Sequence, residues 1–105
     1  MGFEDRIALS AVLGGLMREW TERLGESGVA WGIRSMKTRW GVCNYVKRKI
    51  TFAEMLFGQD RALVEYVVVH ELTHLKAHDH GPYFKFLMSS RLPDWQERRK
   101  RLNGK

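Results

Sequence analysis

Two histidines and a glutamate in the middle of the chain have a spacing that suits metal-assisted chemistry. His70, Glu71 and His74 form an HExxH pattern within an apolar run. Residues four apart lie on one face of an α-helix, about 6 Å apart along its axis, so both imidazoles can bind one ion. Beside the metal, Glu71 can take a proton from zinc-bound water and later deliver it to the leaving amine. The pattern predicts hydrolysis with zinc as cofactor.

A third ligand is expected nearby, because a catalytic zinc usually has three protein ligands and one open position. His78 and His80 follow within six residues of the HExxH pattern. On a straight helix, His78 would lie beyond the metal. His80 lies beside Gly81–Pro82, where we expect the helix to break and the chain to fold back over the ion. We therefore prefer His80 as third ligand and place His78 at the rim, with Asp94 and Glu97 as weaker alternatives.

The spacing of the three histidines is also that of the metzincins, another class of zinc peptidases. Metzincins have a glycine midway between the second and third histidine, where the chain turns sharply. Ala77 occupies this position, and Met88 falls in a helical pattern instead of a separate turn. The sequence therefore disfavours a metzincin.

Length, cysteine content and hydropathy limit the class of protein. The 105 residues predict one domain spanning 1–105, and the single Cys43 excludes an internal disulfide and fits a reducing compartment. The apolar runs are too short to span a bilayer, and Met1–Arg6 has no secretory signal pattern. We expect a cytoplasmic protein that does not enter a membrane.

The net charge of +6 is concentrated in Lys47–Lys49 and Arg98–Arg101. Such clusters can bind phosphate groups, but they are more often solvated turns and helix ends. Because the sequence contains no recognisable nucleic-acid module, RNA or DNA binding is not favoured.

Hydrophobic periodicity predicts an α+β fold. We expect an N-terminal helix, a three-stranded antiparallel sheet, the helix that carries HExxH with Asp60 as its N-cap, and a C-terminal helix. The predicted helices are residues 4–25, 60–78 and 82–92, and the predicted strands are residues 29–36, 39–45 and 50–53. After Pro93, residues 94–102 are expected to form a short basic helix or an extended tail.

Four segments resemble, in order and spacing, the YgjP-like group of metal-dependent hydrolases, which carry a WGSC-like strand. The chain is also similar, more distantly, to the minigluzincins, small soluble metallopeptidases. The segments are Lys37–Cys43, Tyr66–Leu75, Asp79–Phe84 and Leu92–Trp95. The resemblance implies a fold similar to the catalytic cores of HtpX-type membrane metallopeptidases without their membrane spans.

The resemblance also implies that His70, His74 and His80 bind zinc and that Glu71 is the general base. Gluzincins proper use a glutamate as third ligand, so a histidine favours the YgjP-like assignment. Val42 and Asp79 replace the usual serine and asparagine of the group. Asp79 could still orient a histidine through a hydrogen bond, or lie in a solvent-facing turn. The strand Trp40–Cys43 is expected either to form the upper rim of the cleft, where an extended peptide could pair with it, or to belong to the sheet core.

The resemblance to minigluzincins implies a latent form, in which the segment after the third helix obstructs the cleft. By this analogy residues 1–92 form the catalytic core and residues 93–105 an inhibitory segment. The segment would lie across its own site in a monomer or swap into a neighbour's site in a homodimer. Deleting the residues after Leu92 is then expected to raise peptidase activity.

The leading hypothesis is a zinc metallopeptidase that acts on peptide or protein substrates. One alternative keeps the metal but hydrolyses a nucleotide or other phosphate ester, which would make use of the positive charge. The other alternative is a non-catalytic basic binding module in which zinc only stabilises the fold.

Overall fold

Helices pack around a three-stranded sheet in the computed structural model, which describes residues 1–104. The helices are α1 (Phe3–Leu24), α2 (Arg61–Thr73), α3 (Pro82–Arg91) and α4 (Trp95–Asn103). The strands are β1 (Ala30–Arg34), β2 (Gly41–Asn44) and β3 (Lys49–Ala53), and a short 3-10 helix, Glu54–Leu56, follows β3. The predicted α+β class is confirmed. Within residues 1–104 no helix has the length and hydropathy needed to cross a membrane.

The sheet is mixed, so the prediction of a purely antiparallel sheet was wrong. The strand order is β1-β3-β2, with β3 antiparallel to β2 and parallel to β1. Residues 35–40 carry the chain from β1 to the other edge of the sheet, where β2 begins. Strand β3 then returns between β1 and β2. A parallel pair needs a long connection, and here β2 is itself part of the connection between β1 and β3. Alternating hydrophobicity cannot reveal this order, because it reports which face of a strand is buried and not its neighbour.

The apolar stripe of α1 packs against α2 and forms much of the core. Its buried members recur at three- and four-residue steps: Leu9, Leu13, Leu16, Met17 and Trp20. The indole Nε1–H of Trp20 donates to Oε2 of Glu65 on α2 at 2.8 Å, so the two helices are also joined by a polar contact. The helix ends at Gly25, whose φ of 67° lies in the left-handed region that favours glycine.

Helix α2 ends at Thr73, although the sequence pattern predicted a helix extending to residue 78. The amides of His74 and Lys76 donate to carbonyls three residues back, which is the tighter pattern of a helix end. Nδ1 of His74 also lies 2.9 Å from the carbonyl oxygen of Ala77 and stabilises the turn. The chain therefore leaves the helix directly after the second histidine and folds back before α3 begins.

The segment after Pro93 is a docked helix and not an extended tail. Trp95 and Leu102 of α4 are 5% and 1% exposed, so both ends of the helix reach the core. Nη1 of Arg98 donates to Oε1 of Glu65 at 2.8 Å and to the carbonyl of Ala62 at 3.0 Å, which fixes α4 to α2. At the start of α2, Asp60 occupies the N-cap position without a side-chain capping bond, because its carboxylate accepts from Arg101 of α4 instead.

Candidate active site

Three histidines from two segments bring their ring nitrogens to one point. His70 and His74 come from the end of α2, and His80 comes from the loop before α3. Nε2 of His80 lies 3.1 Å from Nε2 of His74 and 3.3 Å from Nε2 of His70. Within residues 1–104 this trio is the one group of three or more potential metal ligands whose ligand atoms cluster, all within 4.8 Å of one another.

Hydrogen bonds to the second nitrogen of two rings leave the converging nitrogens free to bind an ion. The carbonyl of Ala77 can only accept, so Nδ1 of His74 carries the hydrogen. Nδ1 of His70 lies 2.9 Å from Oε2 of Glu71, which makes Nδ1 the donor there too. In both rings Nε2 then keeps its lone pair. Burial lowers the pKa of His74 and of His80, which favours the neutral form that binds metal.

The separations of the three nitrogens fit a tetrahedral metal ion. Two nitrogens that each lie about 2.1 Å from a zinc ion at the tetrahedral angle are about 3.4 Å apart, and the observed distances are 3.1 and 3.3 Å. Three lone pairs that face one another repel unless a cation or a proton lies between them. Imidazole donors suit zinc and several other divalent transition metals. The residues therefore fit the metal that the sequence predicts.

Glu71 is buried beside the histidines, and strand β2 passes unusually close to it. The residue is 4% exposed. A Cβ atom added to Gly41 would lie 3.0 Å from Cγ of Glu71, 3.3 Å from its Oε2 and 3.2 Å from Cγ1 of Val67. Ordinary carbon contacts are about 3.5–4.0 Å, so only glycine lets β2 approach this closely. The sequence places Gly41 in the WGSC-like strand, but only the fold shows why a glycine is needed there, because Glu71 lies far along the chain.

The site opens into a cleft of about 750 Å³ between β2 and the helices. One wall is β2, which forms an edge of the sheet. The other walls come from α2, the loop after it, α3 and α4. The lining residues besides the three histidines and Glu71 are Arg39, Trp40, Gly41, Val42, Cys43, Tyr45, Tyr66, Val67, His78, Phe84, Lys85, Trp95, Arg99 and Asn103. The Trp40–Cys43 strand thus borders the cleft, and Cys43 is only partly buried.

Two aromatic side chains that the sequence analysis assigned to no site pack against the histidine rings. The ring centroid of Phe84 lies 5.1 Å, 4.8 Å and 4.9 Å from those of His70, His74 and His80. The ring of Tyr66 lies 5.6 Å from that of His70. Burial raises the pKa of Tyr66 to about 12, so its phenol stays protonated and can donate a hydrogen bond. The four-residue step from Tyr66 to His70, which places both on one helix face, was the signal that could have identified it.

The remaining candidate residues lie away from the metal position. His78 stacks on Tyr45 with the ring centroids 3.4 Å apart, at the rim of the cleft. The carboxylate of Asp79 accepts from the amide two residues further on at 2.8 Å, so it shapes the loop and does not orient a histidine. Asp94 and Glu97, the weaker ligand candidates, do not line the cleft.

Cys43 faces the cleft but is not poised for reaction. Burial, reinforced by the negative charge of Glu71, raises the pKa of its thiol to about 11. The thiol therefore stays protonated near neutral pH, whereas nucleophilic attack and metal binding require the thiolate.

A hydrogen bond at the cleft joins helix α4 to Trp40, the residue before β2. Nε1–H of Trp40 donates to Oδ1 of Asn103 at 2.9 Å. Trp95, Arg99 and Asn103 of α4 line the same cleft. The C-terminal segment that follows Pro93 is therefore part of the wall of the site.

Fold and site together define a small domain with a candidate metal centre in a cleft, and comparison with known proteins gives its family. The chain belongs to the YgjP-like family, because the model of the YgjP-like metallopeptidase domain matches residues 5–105. The chain is accordingly a metallopeptidase, and its family implies a metal ion. A search of curated proteins finds no match.

Two crystal structures of metallopeptidase zymogens have a similar fold. Abylysin from Pyrococcus abyssi is 23% identical, with a TM-score of 0.77 over 86% of this chain and 90% of that one. Jannalysin from Methanocaldococcus jannaschii is 18% identical, with a TM-score of 0.74 over 86% of this chain and 92% of that one. At these identities the similarity establishes the fold and nothing further about this chain.

Proposed function

We propose that the protein is a zinc-dependent peptidase in which His70, His74 and His80 hold the metal and Glu71 is the general base. The observation that carries the proposal is the convergence of three Nε2 atoms at 3.1 and 3.3 Å beside a buried carboxylate. When bound, zinc polarises the scissile carbonyl and increases the acidity of water.

The chain's own residues supply the proton transfers. Glu71 takes the proton of the attacking water on a carboxylate oxygen and delivers it to the nitrogen of the leaving amine. Its position is set on one side by Nδ1 of His70 at 2.9 Å and on the other by the backbone at Gly41. Because Tyr66 keeps its proton, it is available as a hydrogen-bond donor in the same cleft.

Strand β2 is suited to align an extended substrate. It is an edge strand whose residues border the cleft, so its outer backbone groups are not paired with another strand of the sheet. A peptide laid along this edge can add main-chain hydrogen bonds as a further strand. The scissile bond would then lie across the three histidines.

We also propose that residues 93–105 keep the cleft partly closed, as an inhibitory segment on the 1–92 core. The support is that α4 lines the cleft and is tied to β2 through Trp40 and Asn103. Detaching α4 would expose Trp95 and Leu102, which are buried. Opening the cleft by separating Asn103 from Trp40 leaves both side chains buried, so it costs far less free energy.

The first experiment tests the metal and the base together. The parent and Glu71→Gln should each retain one zinc per chain, but Glu71→Gln should cleave a peptide library about 10²–10⁴ times more slowly than the parent. A Glu71→Gln protein with parental activity would exclude the general-base role. Hydrolysis of nucleotides without hydrolysis of any peptide would favour the phosphate-ester alternative. Tight zinc without either activity, both in the parent and in Asn103→Ala, would favour the binding module.

A second experiment tests latency without removing core residues. Asn103→Ala deletes the acceptor for Trp40 and should raise the peptidase rate, and Trp40→Phe, which lacks the indole N–H, should do the same. Truncation after Leu92 would also remove the buried Trp95 and Leu102 and the cleft residue Arg99, so the two point variants are the decisive test. Equal or lower activity in both point variants would contradict an inhibitory role for α4.

A further inference from the structure

The cleft carries positive charge that its neighbours do not neutralise. Arg39, Lys85 and Arg99 line it, whereas Glu71 is the only carboxylate among the lining residues. Within residues 1–104, none of the three cations forms an ion pair, although Arg98 and other basic residues of the chain do. A bound divalent metal would add further positive charge at the floor of the cleft.

One side-chain amide links the chain segments that carry two of these cations. Oδ1 of Asn103 accepts from the indole of Trp40, the residue that follows Arg39. Nδ2 of Asn103 donates to the carbonyl of Arg99 at 3.2 Å. The amide therefore joins the residue before β2 to the last turn of α4, and Arg39 and Arg99, which lie on the two joined segments, both line the cleft.

Arg99 lines the same cleft as the three histidines. Tyr66, which also lines this cleft, is 5% exposed and packs against His70. An anion bound by Arg99 would therefore lie in the cleft that contains the histidines and not on a remote surface.

We infer that the cleft takes peptides with a carboxylate close to the scissile bond, and that Arg39 and Arg99 bind this carboxylate. A guanidinium group matches a carboxylate with two parallel hydrogen bonds, and the anion offsets the positive charge that both arginines bring to one cleft. The carboxylate belongs either to an acidic side chain or to a free C-terminus. Lys85 on α3 adds to the positive potential that attracts such a peptide. The inference rests on the proposed peptidase function, since it names the substrate class of the same site.

Peptide binding to zinc-loaded Glu71→Gln tests the inference without turnover. Four versions of one hexapeptide are compared by calorimetry: neutral and amidated, amidated with a glutamate beside the central bond, amidated with a lysine there, and neutral with a free C-terminus. At about 50 mM salt, a carboxylate peptide should bind about tenfold more tightly than the neutral amide, at about threefold for each exposed arginine. The carboxylate peptide that binds more tightly than the neutral amide shows whether the recognised carboxylate is an acidic side chain or a free C-terminus.

Charge-removing variants in the same Glu71→Gln background locate the effect. Arg39→Gln and Arg99→Gln should each reduce the advantage of the carboxylate peptide about threefold, and the double variant should abolish it. Arg34→Gln is the matched control, because this exposed arginine ends β1 at the opposite edge of the sheet and does not line the cleft. It removes the same charge and should leave the affinities unchanged.

Equal affinity for the neutral and carboxylate peptides would overturn the inference, as would an advantage that survives in the double variant. Tighter binding of a nucleoside monophosphate than of every peptide would overturn it in favour of a phosphate site. These outcomes are separate from the proposed function, because they concern binding to a form with the base removed. A parent that cleaves peptides but shows no carboxylate preference would refute only the substrate class. A parent that binds carboxylate peptides but cleaves none would refute only the peptidase mechanism.

Discussion

Replacing Gly41 by alanine tests whether the backbone of β2 sets the position of Glu71. The added Cβ would lie 3.0 Å from Cγ of Glu71, 3.2 Å from Cγ1 of Val67 and 3.3 Å from Oε2 of Glu71. To restore an ordinary contact of about 3.5–4.0 Å, the glutamate side chain or the strand must move by about 0.5–1 Å. Because Oε2 also accepts from His70, the same movement disturbs that hydrogen bond.

The displacement should reduce catalysis without unfolding the protein. Overpacking by one methyl group costs about 1–3 kcal/mol of unfolding free energy. Moving a catalytic group by about 1 Å can cost about 100-fold in rate. We therefore expect Gly41→Ala to lower kcat/KM by about 10- to 100-fold while the protein stays folded and keeps the proposed zinc, since none of the three candidate metal ligands is altered.

The assay compares kcat/KM, zinc content and thermal unfolding in three proteins. Gly32→Ala is the matched control, because it makes the same change in the same sheet, on β1, where an added Cβ meets nothing within 4 Å. It should retain parental activity. Parental kcat/KM in Gly41→Ala would refute the argument, because Glu71 would then tolerate the methyl group without losing its position.

Two further predictions concern the packing around the site. Arg98→Ala should lower the unfolding free energy by about 2–3 kcal/mol, because Arg98 pairs with Glu65 and both side chains are 16% exposed. Arg101→Ala, which breaks the exposed pair with Asp60, should cost no more than about 0.5 kcal/mol in the same chemical denaturation assay; equal losses would refute the anchoring of α4 by Arg98. The unfolding free energy should also decrease as the pH rises from about 9 to about 11, because the unfolded chain releases the Cys43 proton near its ordinary pKa of 9.0 and the folded chain holds it to about 11. Cys43→Ala should show a shallower alkaline decrease, and identical pH slopes would contradict the raised pKa.

The candidate metal ligands could be chosen from the sequence because their geometry is mostly local. His70 and His74 share a helix face through their four-residue spacing, and the glycine and proline after His80 predict a chain reversal. The structure brings the three residues together. The sequence pattern nevertheless extended α2 too far, because an apolar helical pattern does not show where i to i+3 hydrogen bonds end the helix.

Several features were decided only by the tertiary structure, because they depend on contacts between residues far apart in the chain. The parallel pairing of β1 with β3, the docking of α4, and the approach of Gly41 to Glu71 each join segments that no local pattern connects. By itself, the sequence determined the α+β class and the choice of candidate metal ligands, because periodicity and ligand spacing act within a few residues. The shape and charge of the cleft were decided by packing, because its walls come from β2, α2, α3 and α4, which meet only in the folded chain.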